Sequence, residues 1–432
     1  MPEIIDLLLR GAGQILTCRS SDGRPKRGAA LSDCGIVKNA SIAVVNGKIV
    51  SVGTDDEIAG AIEGAEVSRT IDLEGRVVLP GWVDPHTHAV FSRYRPDEYE
   101  ARIRGETYLE IASRGGGIVR TVGEIRRMDE DRLFELSRRR VLKVLEQGTT
   151  TIEIKSGYGL DLDSELKMLR VIARLGKETP LDVVSTFLGA HSVPPESKGS
   201  AEYVKLVAEE MVPAVAEAAL AEFVDVFCES GVFDVEETRV IFEAARRHGL
   251  GLKIHADEIT PLGGTELAVD MGAVSADHLM KVSESGIEKL AGSRTMAVLL
   301  PGTTFGLALS TYAPARKLIE SGAAVALATD YNPGSAPSNS MQFTVAIACS
   351  QMSMTPAESI NAATINASFA VGRELEAGSI EPGKKADMVV YDIEDYREIP
   401  SRAGRNQAVM VVKDGMVVWE SQEVEAQSEV GF

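Results

Sequence analysis

Leu79-Pro80-Gly81-Trp82-Val83-Asp84-Pro85-His86-Thr87-His88 is the stretch on which the fold turns. Val77 to Leu79, then Trp82 and Val83, form an apolar run that reads as a buried strand, and two histidines one residue apart close it. Side chains alternate along a strand, so His86 and His88 project to the same side. Two imidazoles converging from one strand end are half of a metal site. Two unrelated surface histidines are the plainer alternative. What separates them is whether the rest of the chain supplies ligands at equivalent places.

Downstream of this stretch, to about residue 375, short apolar runs alternate with amphipathic helical segments. Candidate strands are Val77–Asp84, Thr149–Ile154, Asp182–Leu188, Phe223–Phe227, Gly251–Ile254, Val274–Ala276, Ala297–Leu300 and Ala323–Ala328. Helix-like segments include Asp131–Glu146, Asp163–Leu175, Glu236–Arg247 and Gly264–Met271. Eight strands with intervening helices are the arithmetic of a (β/α)8 TIM-type barrel. A doubly wound sheet would also alternate, but no G-x-G-x-x-G follows an early strand. The long insertion from Ala89 to Gly148 is Arg-rich and carries Arg114-Gly-Gly-Gly117, placed at the barrel mouth where loops meet substrate.

Both flanks are β-rich. Ile4–Cys18 is strand-like, and Ser41–Val45 meets Lys48–Val50 across Asn46-Gly47, a strong hairpin signal. Near the other end, Met388–Tyr391 precedes Ala408–Val412 and Met416–Trp419, which flank Lys413-Asp414-Gly415. The expected organisation is a small β-sandwich domain composed of 1–76 and 376–432, enclosing a barrel domain over 77–375.

Composition narrows the class. The 432 residues are 44% hydrophobic without an apolar run long enough for a membrane span. The acidic start Met1-Pro2-Glu3-Ile4-Ile5-Asp6 lacks the basic region of a secretory signal. Cys18, Cys34, Cys228 and Cys349 are widely spaced, which suits a reducing cytoplasm rather than a disulfide framework. A net charge of −19 argues against nucleic acid as a partner. A small anionic substrate is still compatible, because it responds to the local field.

There are six histidines. His86 and His88 end the first candidate strand, His191 follows the third, His255 ends the fifth and His278 ends the sixth. In a barrel of this type catalytic groups sit at those ends. His248, just before Gly249, reads instead as a helix-terminal residue near the last carbonyls. The eighth strand, Val325-Ala-Leu-Ala-Thr-Asp330, ends in an acid. Asp330 could simply cap the next helix. In combination with the histidines it is the oxygen ligand that a His-rich divalent site often includes.

The P-G-x-x-D-x-H-x-H stretch, His255, His278 and Asp330 resemble the amidohydrolase superfamily over essentially the whole chain. That resemblance implies a metal-dependent hydrolase built on a (β/α)8 barrel with a β-sandwich drawn from both termini. Many members bridge two metals with a carboxylated lysine ending the fourth strand. Here that strand ends Phe227-Cys228-Glu229-Ser230. The implied site therefore holds one divalent ion, Zn or Fe, on His86, His88, His255 and Asp330.

Further strings are similar to the imidazolonepropionase family: Tyr108 with Gly115-Gly-Gly-Ile118, Glu153-Ile-Lys-Ser-Gly-Tyr-Gly159, Phe187-Leu-Gly-Ala-His191, His255-Ala-Asp-Glu258 and Asp330-Tyr-Asn-Pro-Gly-Ser335. The resemblance implies hydrolytic opening of an imidazolone ring bearing a propionate arm, and a homodimer. It places substrate contacts on Arg95, Tyr108, Tyr158, His191, Glu258, Asn332, Gly334 and Ser335. Arg93, two residues before Arg95, is the alternative cation for the arm. Asp330 is then the general base, His278 the donor to the developing oxyanion, and Glu258 the partner of the ring nitrogens. Two rival readings are a nucleobase-type deaminase, since H-x-x-E on the fifth strand also occurs in deaminases, and a non-catalytic scaffold.

Overall fold

A computed structural model of the chain describes residues 3–106, 110–111 and 114–422. Two compact units make up the chain: Met1–Asp84 with Lys143–Thr151 and Ser340–Phe432, and Pro85–Leu142 with Ile152–Asn339. No described helix is long and apolar enough to cross a membrane.

In the first unit both ends of the chain enter one sheet. Its strands lie in the order Met416–Glu420, Ala408–Lys413, Met388–Tyr391, Val77–Pro80, Leu7–Leu16, Ile36–Val45 and Lys48–Thr54, with Thr70–Asp72 also paired to Leu7–Leu16. Leu9, Ile42, Val78, Met388, Val390 and Val412 share one fully buried core. Asn46 and Gly47 have φ of 50° and 73°, and Asp414 and Gly415 have 49° and 74°. Both hairpins thus turn through the left-handed region that Asn, Asp and Gly tolerate.

The run Val77–Asp84 is two strands rather than one. Val77–Pro80 pairs antiparallel with Met388–Tyr391 and parallel with Leu7–Leu16, whereas Trp82–Asp84 opens the barrel sheet. Gly81 makes the passage between them, where a Cβ would lie 2.2 Å from Thr150 Oγ1. Both halves are buried throughout and, up to Asp84, apolar, so the sequence shows a single run.

The barrel strands, in chain order, are β1 (Trp82–Asp84), β2 (Thr149–Lys155), β3 (Asp182–Ala190), β4 (Phe223–Cys228), β5 (Gly251–Ala256), β6 (Ser275–His278), β7 (Met296–Leu299) and β8 (Val325–Leu327). Each pairs with its neighbour in sequence, and the eight form a parallel (β/α)8 arrangement. The first and eighth segments are joined just past their strands. Thr87 bridges Tyr331, the Asp330 N–H donates to His86 O at 3.1 Å, and the His88 N–H donates to Tyr331 O at 2.9 Å.

The expected helices are present as Glu130–Leu145, Leu162–Glu178, Val235–Arg247 and Gly264–Asp270. Their starts follow capping chemistry. Asp161 accepts from the Ser164 N–H, and Asp234 and Glu237 form a reciprocal capping box. His248 is the exposed C-terminal cap of Val235–Arg247, followed by Gly249 at φ 75°.

Candidate active site

Parallel strands feeding one barrel deliver their C-terminal residues to a common mouth. His86 and His88 follow β1, His255 lies near the end of β5, His278 ends β6 and Asp330 follows β8. All five are at least 97% buried. His255 Nε2 lies 3.4 Å from His88 Nε2. Asp330 Oδ1 lies 3.6 Å from His86 Nε2 and 3.5 Å from His88 Nε2.

These separations carry chemical information. A tetrahedral ion with bonds of about 2.0–2.1 Å holds its ligands roughly 3.4 Å apart. The separations between His88 and His255 and from Asp330 to His86 and His88, at 3.4–3.6 Å, match that edge, and ligand nitrogens of His86, His88 and His255 all lie within 4.8 Å of one another. The Nε2 of His86 is buried with no hydrogen-bond partner among the described residues, although a buried ring nitrogen ordinarily has one. The donor set therefore fits one divalent ion.

The imidazoles are aimed from behind. His86 Nδ1 donates to Asp277 Oδ2 at 2.6 Å, and His255 Nδ1 donates to Asp225 Oδ1 at 3.0 Å. A carboxylate on Nδ1 leaves Nε2 as the lone pair offered to a metal. Burial, and then nearby positive charge, hold His86, His88 and His278 well below the ordinary histidine range, so they are neutral. Burial opposes protonation of His255 as well, but there the Asp225 carboxylate outweighs it and raises the imidazole. Asp330 is pushed up to about 6 by burial, partly offset by its hydrogen bond from Thr303. Thr303 donates to Oδ2, which leaves Oδ1 facing the histidines.

Around this centre stand the other sequence-predicted residues. His191 stacks on His88 with centroids 4.9 Å apart, and its Nδ1 donates to Gly157 O at 3.0 Å. Tyr158 lies 5.4 Å from His191 and 5.8 Å from His88, ring to ring. Their loop is shaped by the buried carboxylate of Glu165, which accepts from the N–H groups of Gly157, Gly159 and Leu160. Glu258 Oε1 is 3.7 Å from His278 Nδ1. Burial, reinforced by the charge of Asp330, pushes the Glu258 carboxyl up to about 8.

The two candidate cations differ. Arg93 is mostly exposed and pairs with Glu124 at 2.6 Å. Arg95 is buried, pairs with Glu98 at 3.0 Å, and donates to Gly117 O and Thr121 Oγ1 at 2.9 and 2.8 Å. The glycine run thus ends against Arg95, and the Gly117 N–H also donates to Glu98. Gly334 faces the same guanidinium, where a Cβ would lie 1.8 Å from Arg95 Nη2. Asn332 folds its own loop: its Oδ1 accepts from Gly334 and Ser335 N–H at 2.8 Å each, and its Nδ2 donates to Asp330 O and Ser335 Oγ. Tyr108 lies outside the described residues.

Sequence reasoning missed Thr303, Glu165 and the aspartates behind the histidines. A signal existed for Asp225 and Asp277, because an acid inside an otherwise apolar parallel strand must be paired when buried. Thr303 and Glu165 carry no such mark.

The fold is shared with solved hydrolases of low identity. An adenosine deaminase from Xanthomonas campestris matches with TM-score 0.72 at 19% identity, covering 99% of this chain and 98% of that one. The guanine deaminase of E. coli matches with TM-score 0.72 at 14% identity, over 96% and 99%. Sequence relatives are much nearer. An imidazolonepropionase from Geobacillus kaustophilus is 49% identical over 95% of this chain and 97% of its own. One from Symbiobacterium thermophilum is 47% identical over 96% and 97%. Residues 77–418 match the Amidohydrolase family. With nearly half its residues identical along nearly its whole length, the chain belongs to the imidazolonepropionases within the amidohydrolase family.

Proposed function

We infer that this chain is an imidazolonepropionase that hydrolyses 4-imidazolone-5-propanoate to N-formimino-L-glutamate in histidine degradation. The full-length identity to imidazolonepropionases carries this reading. The deaminases are related at the level of fold alone. Convergence of His86, His88, His255 and Asp330 argues against a scaffold that has lost its chemistry.

In this reading those four residues hold one divalent ion, Zn or Fe, which when bound polarises an amide carbonyl and makes water acidic enough to attack near neutral pH. Asp330 takes the proton from the attacking water and returns it to the departing ring nitrogen. Thr303 keeps one carboxylate oxygen engaged while the other turns to the histidines. Neutral His278 donates one N–H to the developing oxyanion. Glu258, held protonated near neutral pH by burial, meets the ring nitrogens and selects the tautomer.

The propionate arm needs a fixed cation in this acidic chain. Arg95 is the residue we assign to it, because the charge-assisted bonds of a buried guanidinium are screened less than those of an exposed one such as Arg93. Tyr158 and His191 complete that side. Ser335, Asn332 and Gly334 shape the loop that backs Arg95, and Tyr108 is kept as a substrate contact by family resemblance. A cytoplasmic homodimer is the state that the same resemblance supports.

The test is loss of ultraviolet absorbance of fresh imidazolone propionate with metal-replete protein, alongside a chelator-treated sample. Metal-dependent loss with formiminoglutamate as product is expected. Ammonia release from nucleobases without ring opening of the imidazolone would overturn the reading in favour of a deaminase.

A further inference from the structure

Behind the histidines lie five charged side chains without solvent exposure: Glu153 and Lys155 on β2, Asp225 on β4, Lys253 on β5 and Asp277 on β6. Burying charge is costly, and structural cores rarely use it where apolar packing would serve. Lys155 is the hub. Its Nζ lies 2.7 Å from Glu153 Oε1, 2.8 Å from Asp225 Oδ2 and 3.9 Å from Asp277 Oδ2. Asp225 gives its other oxygen to His255, and Asp277 accepts from His86.

We propose that Lys155 is a positioning residue of the metal centre, holding Asp225 and Asp277 so that His255 and His86 turn their Nε2 atoms to one point. Glu153 anchors the ammonium as well, and is itself held by the Thr87 N–H at 3.3 Å and by Lys253 Nζ at 3.9 Å. His86, Asp225 and Asp277 have ligand atoms close enough together to hold an ion of their own. The ammonium of Lys155 is the cation that this cluster meets. Burial disfavours the charged amine, but the carboxylates of Asp225 and Glu153 outweigh it and hold Lys155 above the ordinary lysine range. His88 is the internal contrast, with no carboxylate on Nδ1 and its ring stacked on His191.

The inference rests on the single-metal reading above, and the experiment separates the two. Zn²⁺ affinity of the full chain is measured by competition with a chromogenic chelator for wild type, Lys155→Met, Lys155→Gln, Asp225→Asn/Asp277→Asn and that double variant carrying Lys155→Met, with circular dichroism confirming folding. Loss of Lys155 is expected to weaken Zn²⁺ binding about 10- to 100-fold. It should change the visible spectrum of the Co²⁺-loaded protein and leave KM at saturating metal within about threefold. In the double-asparagine background the same substitution should cost less than about threefold, because its route to the ligands is already cut. Folded Lys155 variants that bind Zn²⁺ like wild type overturn the proposal. So do variants that fail to fold while the asparagine variants bind normally. A wild type that binds no divalent ion overturns the metal reading instead.

Discussion

His86, His255 and Asp330 stand on or just beyond barrel strands, each backed by a hydrogen bond with another barrel segment, the histidines donating to Asp277 and Asp225 and Asp330 accepting from Thr303. Arg95, Tyr158, Asn332 and Gly334 stand outside the strands; Asn332 and Gly334 bond within their own loop, and Arg95 is held by Glu98, Gly117 and Thr121 on two helices of the insertion. On the metal side, parallel strands fix direction through a ladder of backbone bonds. On the arm side, position depends on a few side chains that fold the loops: Glu165 beneath Tyr158, Asn332 beneath Gly334 and Glu98 beside Arg95. A substitution on the strand side should therefore alter chemistry. One on the loop side should alter substrate capture and leave the chemical step nearly intact.

The largest expected effect is at Asp330. Asp330→Asn should lower kcat by at least about 10³-fold, since on the proposed mechanism it takes the charge from a ligand and removes the proton carrier. Turnover near wild type, with metal content checked by atomic absorption, would break the assignment of the base. Next comes Arg95→Met, which should lower kcat/KM about 100-fold, mostly through KM. Arg93→Met should stay within about twofold in the same steady-state assay. Equal losses in the two variants would erase the contrast between a buried and an exposed arm cation.

Gly334→Ala sharpens the comparison further, because it leaves Arg95 chemically intact and pushes a methyl group into its guanidinium. KM should rise about tenfold with kcat little changed, a smaller copy of the Arg95→Met effect. An unchanged KM would show that Arg95 can retreat without loss.

A further expected effect is read in stability rather than in turnover. The carboxyl of Glu258 is raised by burial from 4.5 to about 8. A raised acid stabilises the fold fully below its ordinary range and loses that contribution as pH climbs through the folded value. In metal-free protein the stability of wild type relative to Glu258→Gln should thus decline between about pH 4.5 and 8, by up to about 1.4 kcal/mol per pH unit. Urea unfolding of both proteins at several pH values measures this, and a flat difference would rule out a neutral Glu258.

The sequence exposed the strand side of the site far better than the loop side. A histidine or aspartate that ends an apolar run has no packing reason to be there, so His86, His88, His255, His278 and Asp330 were legible by position. The barrel itself was legible from alternation. The division of Val77–Asp84 between two sheets was not, because pairing partners leave no trace in a run that is buried on both faces. Nor did the sequence separate Arg93 from Arg95. Their difference lies in Glu98, Gly117 and Thr121, which come together only when the insertion folds. Asn332 adds a role its motif did not show: besides being expected as a substrate contact, its side chain turns its own loop.

Two residues of the proposed reaction centre, His278 and Asp330, have φ of 77° and 53°, in the left-handed region that suits glycine. Each such residue costs about 1–3 kcal/mol that the surrounding structure has to absorb. Asp330 adds the expense of a buried acid. Relaxed selection would then act on this chain in a particular order. Glycine at either position would relieve backbone strain while removing activity, so a lineage that no longer needs the reaction should lose these two side chains early and gain thermal stability as it does. The working enzyme is held away from its most stable sequence at the places where it reacts.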